Sequence, residues 1–241
     1  MASPPGAPTP GAPEKLAVRS MFDRIAPRYD LLNRLLSAGT DVRWRRRAVA
    51  ALGLPTGARV LDLCAGTADL LLEWTARSAG KGAGVDLSLE MLRRGAAKLR
   101  RRGLFPGVGL ACGDAERLPL LGGSFDGAMV AFGIRNVGDV DAALREVTRV
   151  LRPAGRLVIL EFGMPRGLFG ACYRIYFGHV LPLVGRLVSG DASAYRYLPA
   201  SVGRFDSPEA LGARLERAGF RDVVGERLSL GIAWIHSATR P

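Results

Sequence analysis

Residues 59–69 read Arg59-Val60-Leu61-Asp62-Leu63-Cys64-Ala65-Gly66-Thr67-Ala68-Asp69. The apolar run around Leu61 suits a buried strand, Gly66 marks a tight turn, and a helix is expected to open at Ala68. A strand that turns into a helix in this way leaves first-turn N–H groups aimed at a ligand. Two more acids close the next two predicted strands: Asp86 in Gly84-Val85-Asp86, and Asp114 in Cys112-Gly113-Asp114-Ala115. Three acids in succession along strand ends suit one nucleoside-like ligand.

The same rhythm continues outward. Strands predicted over 59–64, 82–86, 108–112, 126–131 and 156–162 alternate with helices near 68–77, 89–102 and 140–151. A helix at 208–218 precedes two final strands, 222–228 and 232–238, which read as an antiparallel pair at a sheet edge. The fold class is therefore α/β: a doubly wound, mostly parallel seven-stranded sheet. Short runs such as Val158-Ile159-Leu160 fit strands buried on both faces.

Residues 1–14 hold five prolines and no large apolar side chain beyond Met1, which predicts a disordered tail. Residues 15–241 then form one domain. It begins with an N-terminal helical cap (15–57), where Leu16, Met21, Phe22 and Ile25, then Leu31, Leu32, Leu35 and Leu36, keep helical spacing. A third helix is expected from Asp41 to Leu52, with Asp41 as its cap. The ligand-binding core (58–163) follows, then an apolar helical segment (164–206) and a C-terminal helix with edge strands (207–241). Within the apolar segment, residues 168–188 crowd Leu168, Phe169, Tyr173, Ile175, Tyr176 and Phe177 together. Two readings stay open: a helix packed over the core, or a lid touching lipid or a lipophilic substrate.

Apolar residues are 48% of the chain, enough for a substantial core, and no run of about 18 apolar residues suggests a spanning helix. The start of the chain has no apolar signal core. Three scattered cysteines, Cys64, Cys112 and Cys172, fit a reducing compartment, so a cytoplasmic location is expected. The net charge of +12 invites an anionic partner. Two clusters are densest: Arg43, Arg45, Arg46 and Arg47, and the run from Arg93 to Arg102 that includes Lys98. Neither is interleaved with aromatics as a nucleic-acid stacking platform would be. An anionic membrane surface ranks above nucleic acid.

A dinucleotide site would place three glycines after the first strand, whereas Gly66-Thr67-Ala68-Asp69 offers one, which disfavours a nicotinamide cofactor. Asp86 suits the two hydroxyls of a ribose. Asp114 with the Ala115 N–H complements the amine and ring nitrogen of a purine. With Ser124-Phe125-Asp126 opening the fourth strand, this order resembles the class I S-adenosylmethionine-dependent methyltransferases, which are Rossmann-like. Asp62 has a plain alternative in bonding the turn backbone, Asp69 in favouring the helix dipole, and Asp126 reads as structural.

Four further segments resemble one branch, the quinone-ring C-methyltransferases that act on demethylmenaquinol and its ubiquinone-pathway counterpart. They are Tyr29-Asp30-Leu31-Leu32-Asn33 with Ser37 and Trp44; Phe132-Gly133-Ile134-Arg135-Asn136-Val137; Arg149 to Gly155 running on to Glu161; and Tyr195-Arg196-Tyr197-Leu198-Pro199-Ala200-Ser201-Val202. The family pattern usually has Met where Leu32 stands, His at Asp41, Lys at Arg152, Gly at Ala154, Ser at Gly163 and often Gly at Ala68. A serine found beside the cofactor in some members is Ala131 here.

The resemblance implies S-adenosylmethionine as cofactor, with Thr67, Asp86, Asp114 and Ala115, and also Asp62 and Gly66, as its binding residues. It implies a lipophilic reduced quinol as substrate, the menaquinone pathway being favoured over the ubiquinone one. A methyltransferase for another small molecule is the nearest rival, and a non-catalytic basic nucleic-acid module the rival of another class. Ring-carbon methylation needs a phenolate. Arg135 is the candidate to stabilise it, Asn136 to orient a water, and Tyr29, Tyr195 and Tyr197 to line the ring pocket. The plain alternative for Arg135 is a salt bridge to Asp139. His179 and His236 have no metal-ligand spacing, and no metal is expected. Peripheral contact at the inner face of a membrane is expected, and a homodimer is left open.

Overall fold

The computed structural model describes residues 14–105, 107–180 and 192–241. Residues 1–13 of the expected tail and the 181–188 portion of the apolar segment lie outside the described residues. Seven strands form one sheet: β1 (Arg59–Leu63), β2 (Lys81–Asp86), β3 (Val108–Cys112), β4 (Phe125–Ala131), β5 (Leu151–Phe162), β6 (Arg221–Leu228) and β7 (Ala233–Thr239). Their order is β3-β2-β1-β4-β5-β7-β6. The first five are parallel, and β7 runs antiparallel to both β5 and the edge strand β6. The doubly wound sheet and its antiparallel edge are as the sequence predicts.

The chain winds outward from β1 to β3, then returns to the other side of β1 at β4. That reversal opens a crevice at the carboxyl ends of β1 and β4, the usual ligand position in an open α/β sheet. Leu61, Leu63, Leu157 and Ile159 belong to the core under α6 (Val140–Val150) and α9 (Pro208–Arg217). The alternate residues Val60, Val158 and Leu160 pack with α3 (Thr40–Ala51), α4 (Asp69–Ser78) and α5 (Leu89–Arg101). The two-residue period of a strand thus feeds both faces. A third cluster joins Met21 and Ile25 of α1 (Lys15–Ile25) and Leu32 of α2 (Tyr29–Leu36) to Phe177 and Val202. Phe177 lies in the wide turn (Tyr176–Val180) after α7 (Gly167–Ile175), and Val202 in α8 (Ala192–Arg204).

Local chemistry sets the helix starts. Ser88 Oγ accepts from the Met91 N–H at 3.2 Å, Asp139 Oδ1 from Ala142 at 2.9 Å, and Ser207 Oγ from Ala210 at 3.2 Å. Asp41 is not a cap. The chain turns through Gly39 at φ +74, α3 starts at Thr40, and Asp41 falls inside the first turn, buried and paired with Arg45. A left-handed glycine costs little there and fixes the entry one residue earlier. The helix expected to reach Leu151 stops at Val150, because Pro153 disfavours helical backbone at Arg152. Leu151 instead begins β5 opposite Phe125, and the register shifts before Gly127 meets Arg156.

The two crevice loops touch. A Cβ on Gly133 would lie 2.4 Å from Cys64 Cβ and 3.2 Å from its Sγ. Gly133→Ala is expected to destabilise the protein by about 1–3 kcal/mol, the cost of overpacking. A chemical-melt midpoint matching the parent would show that the loops can separate freely.

Candidate active site

Strain marks the crevice. Cys64 (φ +54), Gly66 (φ +52) and Ala68 (φ +63) put three left-handed residues into one turn, and Phe132 (φ +57) faces them after β4. Three of the four carry a Cβ, so this conformation costs energy that the surroundings must hold in place. Asp86 braces the turn: its Oδ2 accepts from the Gly66 N–H at 2.8 Å and its Oδ1 from the Ser88 N–H at 2.8 Å. Burial pushes its carboxyl up, and the N–H groups of Ser88 and Gly66 pull it partly back. Asp114 Oδ1 accepts from the Glu116 N–H at 2.9 Å, and its Oδ2 takes the Lys15 ammonium at 2.7 Å. Gly66, Asp86, Asp114 and Ala115 therefore line one cleft, as expected from sequence.

Helix α1 covers that cleft, contributing Lys15, Val18, Arg19 and Phe22 to its lining and leaving about 70 Å³ free. Ligand pockets usually offer roughly 300–1,000 Å³. Lys15 closes the cleft by pairing with both Asp114 and Glu116, each at 2.7 Å. These contacts are part-exposed and individually weak, on the order of 0–1 kcal/mol, while α1 itself is anchored by buried Met21 and Ile25. The chemistry of the lining fits an adenosyl group: two carboxylates for hydroxyl and amine donors, with backbone N–H groups beside them.

Two expected contacts sit elsewhere. Thr67 is buried beneath the turn, where its hydroxyl donates to Asp30 Oδ1 at 2.6 Å and accepts from Lys98 Nζ at 2.9 Å. Lys98 also pairs with Asp69 and with Asp30. Lys98 thus ties α5 to the first-turn acid Asp69 of α4 and to Asp30 of α2. Asp62 is 2% exposed, and its Oδ2 has no hydrogen-bond partner. Burial, then the nearby Asp86 charge, hold its carboxyl well above the ordinary value.

A raised carboxyl contributes stability below its unfolded value and loses it as pH rises through the folded value. Asp62→Asn is therefore expected to gain on the parent in melting temperature with rising pH above 3.8. A constant difference from pH 4 to pH 9 would contradict this. Asp126 is structural, accepting from the Arg59 N–H at 2.8 Å and pairing with Arg152.

A second cavity of about 460 Å³ adjoins the cleft, sharing Phe22, Tyr29 and Phe132 with it. Its walls are largely aromatic, from Trp44, Phe162, Tyr173, Tyr176, Phe177 and Tyr197. Arg135 enters this cavity. Its Nη1 donates to Glu161 Oε1 at 2.8 Å and to the Phe132 carbonyl, and its Nε donates to Ser201 Oγ at 3.2 Å. The side chains of Arg135 and Glu161 are 6% and 3% exposed, so this is a buried ion pair. The expected partner Asp139 instead caps α6 and meets Arg145 at 3.7 Å. Asp139 is committed to its helix, while Glu161 projects from β5 beside the crevice.

Asn136 accepts from the Tyr197 hydroxyl at 2.9 Å. Tyr29 lines both cavities; burial raises its phenol, and Arg45 and Arg135 draw it down. Arg135, Asn136, Tyr29 and Tyr197 are thus brought together, while the side chain of Tyr195 lies outside the described residues. Sequence reasoning missed Glu161 as the partner of Arg135, and Arg45 as a wall of the cavity. One signal was present: Glu161 is a lone acid ending the apolar run of β5.

A sequence profile of the ubiE/COQ5 methyltransferase family matches residues 11–240. The chain belongs to that family. It is 50% identical over 223 residues to a demethylmenaquinone methyltransferase of Thermus thermophilus, covering 92% of this chain and 100% of that one. The demethylmenaquinone methyltransferase of Deinococcus radiodurans is 47% identical, covering 91% of each chain. A ubiquinone/menaquinone biosynthesis C-methyltransferase of Syntrophotalea carbinolica is 46% identical, covering 92% of this chain and 93% of its own. Among solved structures, an S-adenosylmethionine-dependent methyltransferase from Aquifex aeolicus has a TM-score of 0.60 at 20% identity over 82% of this chain and 89% of that one. Another from Thermotoga maritima, described as a possible histamine N-methyltransferase, has a TM-score of 0.64 at 23% identity, covering 92% and 99%. These two establish the class I fold. The motif resemblance read from the sequence is borne out at the family level.

Proposed function

We propose that this ubiE/COQ5-family chain methylates a ring carbon of a reduced polyprenyl quinol, converting demethylmenaquinol to menaquinol with S-adenosylmethionine as methyl donor. The observation that carries the reading is the junction of the two cavities. A carboxylate-rimmed cleft meets an aromatic cavity holding a buried, paired cation at Arg135. Asp86 and Asp114 would hold the ribose and adenine, with Ala115 offering a backbone N–H, Gly66 giving its own N–H to Asp86, and Thr67 and Asp62 supporting the turn from beneath. Bound there, S-adenosylmethionine supplies an electrophilic methyl group on a sulfonium.

The ring carbon becomes nucleophilic when its neighbouring hydroxyl loses a proton. Arg135 remains cationic at neutral pH, so it favours the phenolate and is not the proton acceptor. Tyr29 and Tyr197, both raised by burial, stay protonated and act as hydrogen-bonding walls. Asn136, fixed by Tyr197, would orient the water that carries the proton out. Holding the two reactants about 3 Å apart contributes more than proton transfer alone. The deciding assay gives purified protein labelled S-adenosylmethionine and reduced demethylmenaquinone. Absence of labelled menaquinone would overturn the assignment.

The quinol tail lives in lipid, and the cavity walls face outward as apolar surface. Leu31 and Leu35 are exposed on α2, and Leu168, Phe169 and Ile175 on α7, the helices that also supply Tyr29 and Tyr173. Arg34 and Arg174 are exposed beside them. No described helix is long and apolar enough to span a membrane. Peripheral docking is the corresponding reading. Within the basic clusters Arg46, Arg47 and Lys98 have carboxylate partners. The protein is expected to co-sediment with vesicles containing anionic lipid at low salt and to detach at high salt. Equal recovery with purely zwitterionic vesicles would contradict the electrostatic part.

A further inference from the structure

The aromatic cavity contains a second buried ion pair that the methyl-transfer reading leaves without a role. Asp41 is 4% exposed, and its Oδ2 takes the Arg45 guanidinium. Its Oδ1 accepts from Ser37 Oγ at 2.8 Å, and all three residues line the cavity. Arg45 lies over the Phe132 ring, with its Cζ 5.8 Å from the centroid. Phe132 stacks on Phe162 at 4.3 Å and 29°, and Arg135 Cζ lies 5.3 Å from the Phe162 centroid. The sequence of contacts is therefore Asp41, Arg45, Phe132, Phe162, Arg135, Glu161, with a buried ion pair at either end of a stacked aromatic pair. Tyr29 lies within the field of both guanidiniums.

Buried ion pairs are poor sources of stability, because desolvating two charges cancels most of their attraction. A pair kept in a cavity wall is better explained by a ligand. A para-quinol carries two hydroxyls on opposite sides of its ring, and only one is used at Arg135. Held in the same cavity, the other would need an acceptor, because a buried O–H without one costs free energy. Each Asp41 oxygen has one partner and a second lone pair to offer.

Resting on the quinol reading above, we propose that Ser37, Asp41 and Arg45 form a subsite for the second ring hydroxyl, and that Asp41 makes the protein select the reduced quinol over the oxidised quinone. A carboxylate only accepts hydrogen bonds. The quinol brings a donor to it, whereas the quinone brings a carbonyl lone pair against its charge. Such an unfavourable pairing against the wrong ligand is an efficient route to selectivity. Replacing Asp41 with Asn offers an N–H to the quinone carbonyl and frees Arg45 to donate to it as well.

The test measures binding of a short-tailed demethylmenaquinone in both oxidation states, under anaerobic conditions, to the full-length protein and to Asp41→Asn. The parent is expected to prefer the quinol at least about tenfold, the size of a charge-assisted hydrogen bond. In Asp41→Asn the ratio should fall to near one or invert, while calorimetric S-adenosylmethionine affinity stays at the parent value and certifies the fold. Ser37→Ala, which frees Asp41 Oδ1 and leaves its charge in place, should instead raise the quinol preference, and serves if Asp41→Asn does not fold. An unchanged ratio in a folded variant overturns the subsite. Absence of quinol turnover by the parent itself overturns the functional reading instead, so the two failures are distinct.

Discussion

Arg135→Gln is expected to bind S-adenosylmethionine as the parent does and to methylate the quinol on the order of 10²–10³ times more slowly, the loss seen when one preorganised donor to a developing anion is removed. Arg135 lines the aromatic cavity and not the carboxylate-rimmed cleft proposed for the cofactor, which is why the two properties should separate. The single variant carries a second penalty. Glu161 is pushed up by burial and held down chiefly by the Arg135 charge. Without that charge it is a buried carboxyl lacking its cation, at a cost of about 3–5 kcal/mol.

The sign with pH follows. Glu161 would then titrate further above its unfolded value of 4.5, so the deficit is small in acid and grows as pH rises through the new folded value. Arg135→Gln combined with Glu161→Gln removes both charges, and should recover most of the stability while leaving turnover low. Single-turnover kinetics and thermal melts at two pH values read these effects independently. Recovery of turnover in the double variant would show that Arg135 acts only through the fold.

The sequence was legible where one short segment both makes and marks its element. The turn at Gly66, the acids at Asp86 and Asp114, and the alternation of strands and helices are local signals, and the cleft they build is where they placed it. The partnerships were not legible, because pairing depends on register and helix approach. Asp139 lies four residues from Arg135, yet its carboxylate is spent on the start of α6, and the distant Glu161 takes the guanidinium. Thr67 carries a hydroxyl suited to a ligand, but the left-handed Ala68 turns the chain so that it meets Asp30 and Lys98. Arg45 reads as one member of a basic run. Its burial becomes visible only when α3 lays Asp41 and Arg45 against Phe132.

Asp86→Asn is expected to weaken S-adenosylmethionine binding about 10–100-fold, because the carboxylate serves two purposes at once. Its oxygens already accept from Gly66 and Ser88, which sets the turn, and their remaining lone pairs are the acceptors offered to a ribose. An amide keeps one acceptor and presents N–H to groups that are themselves donors, a loss of roughly 1.5–3 kcal/mol for charged hydrogen bonds. The ligand-free fold should suffer less than the binding does. The Asp86 carboxyl is raised by burial, so its ionisation opposes folding at neutral pH, and neutralising it returns part of what the lost backbone bonds cost. Ligand present at 100 times the parent dissociation constant stabilises the parent by about 2.7 kcal/mol, and a variant weakened some thirtyfold by under about 1 kcal/mol. The thermal shift on adding S-adenosylmethionine should therefore shrink to about a third while the ligand-free melt moves little. A full-sized shift in Asp86→Asn would mean that the ribose is held by another group. Asp114, opposite in the same cleft, would then be the residue to replace.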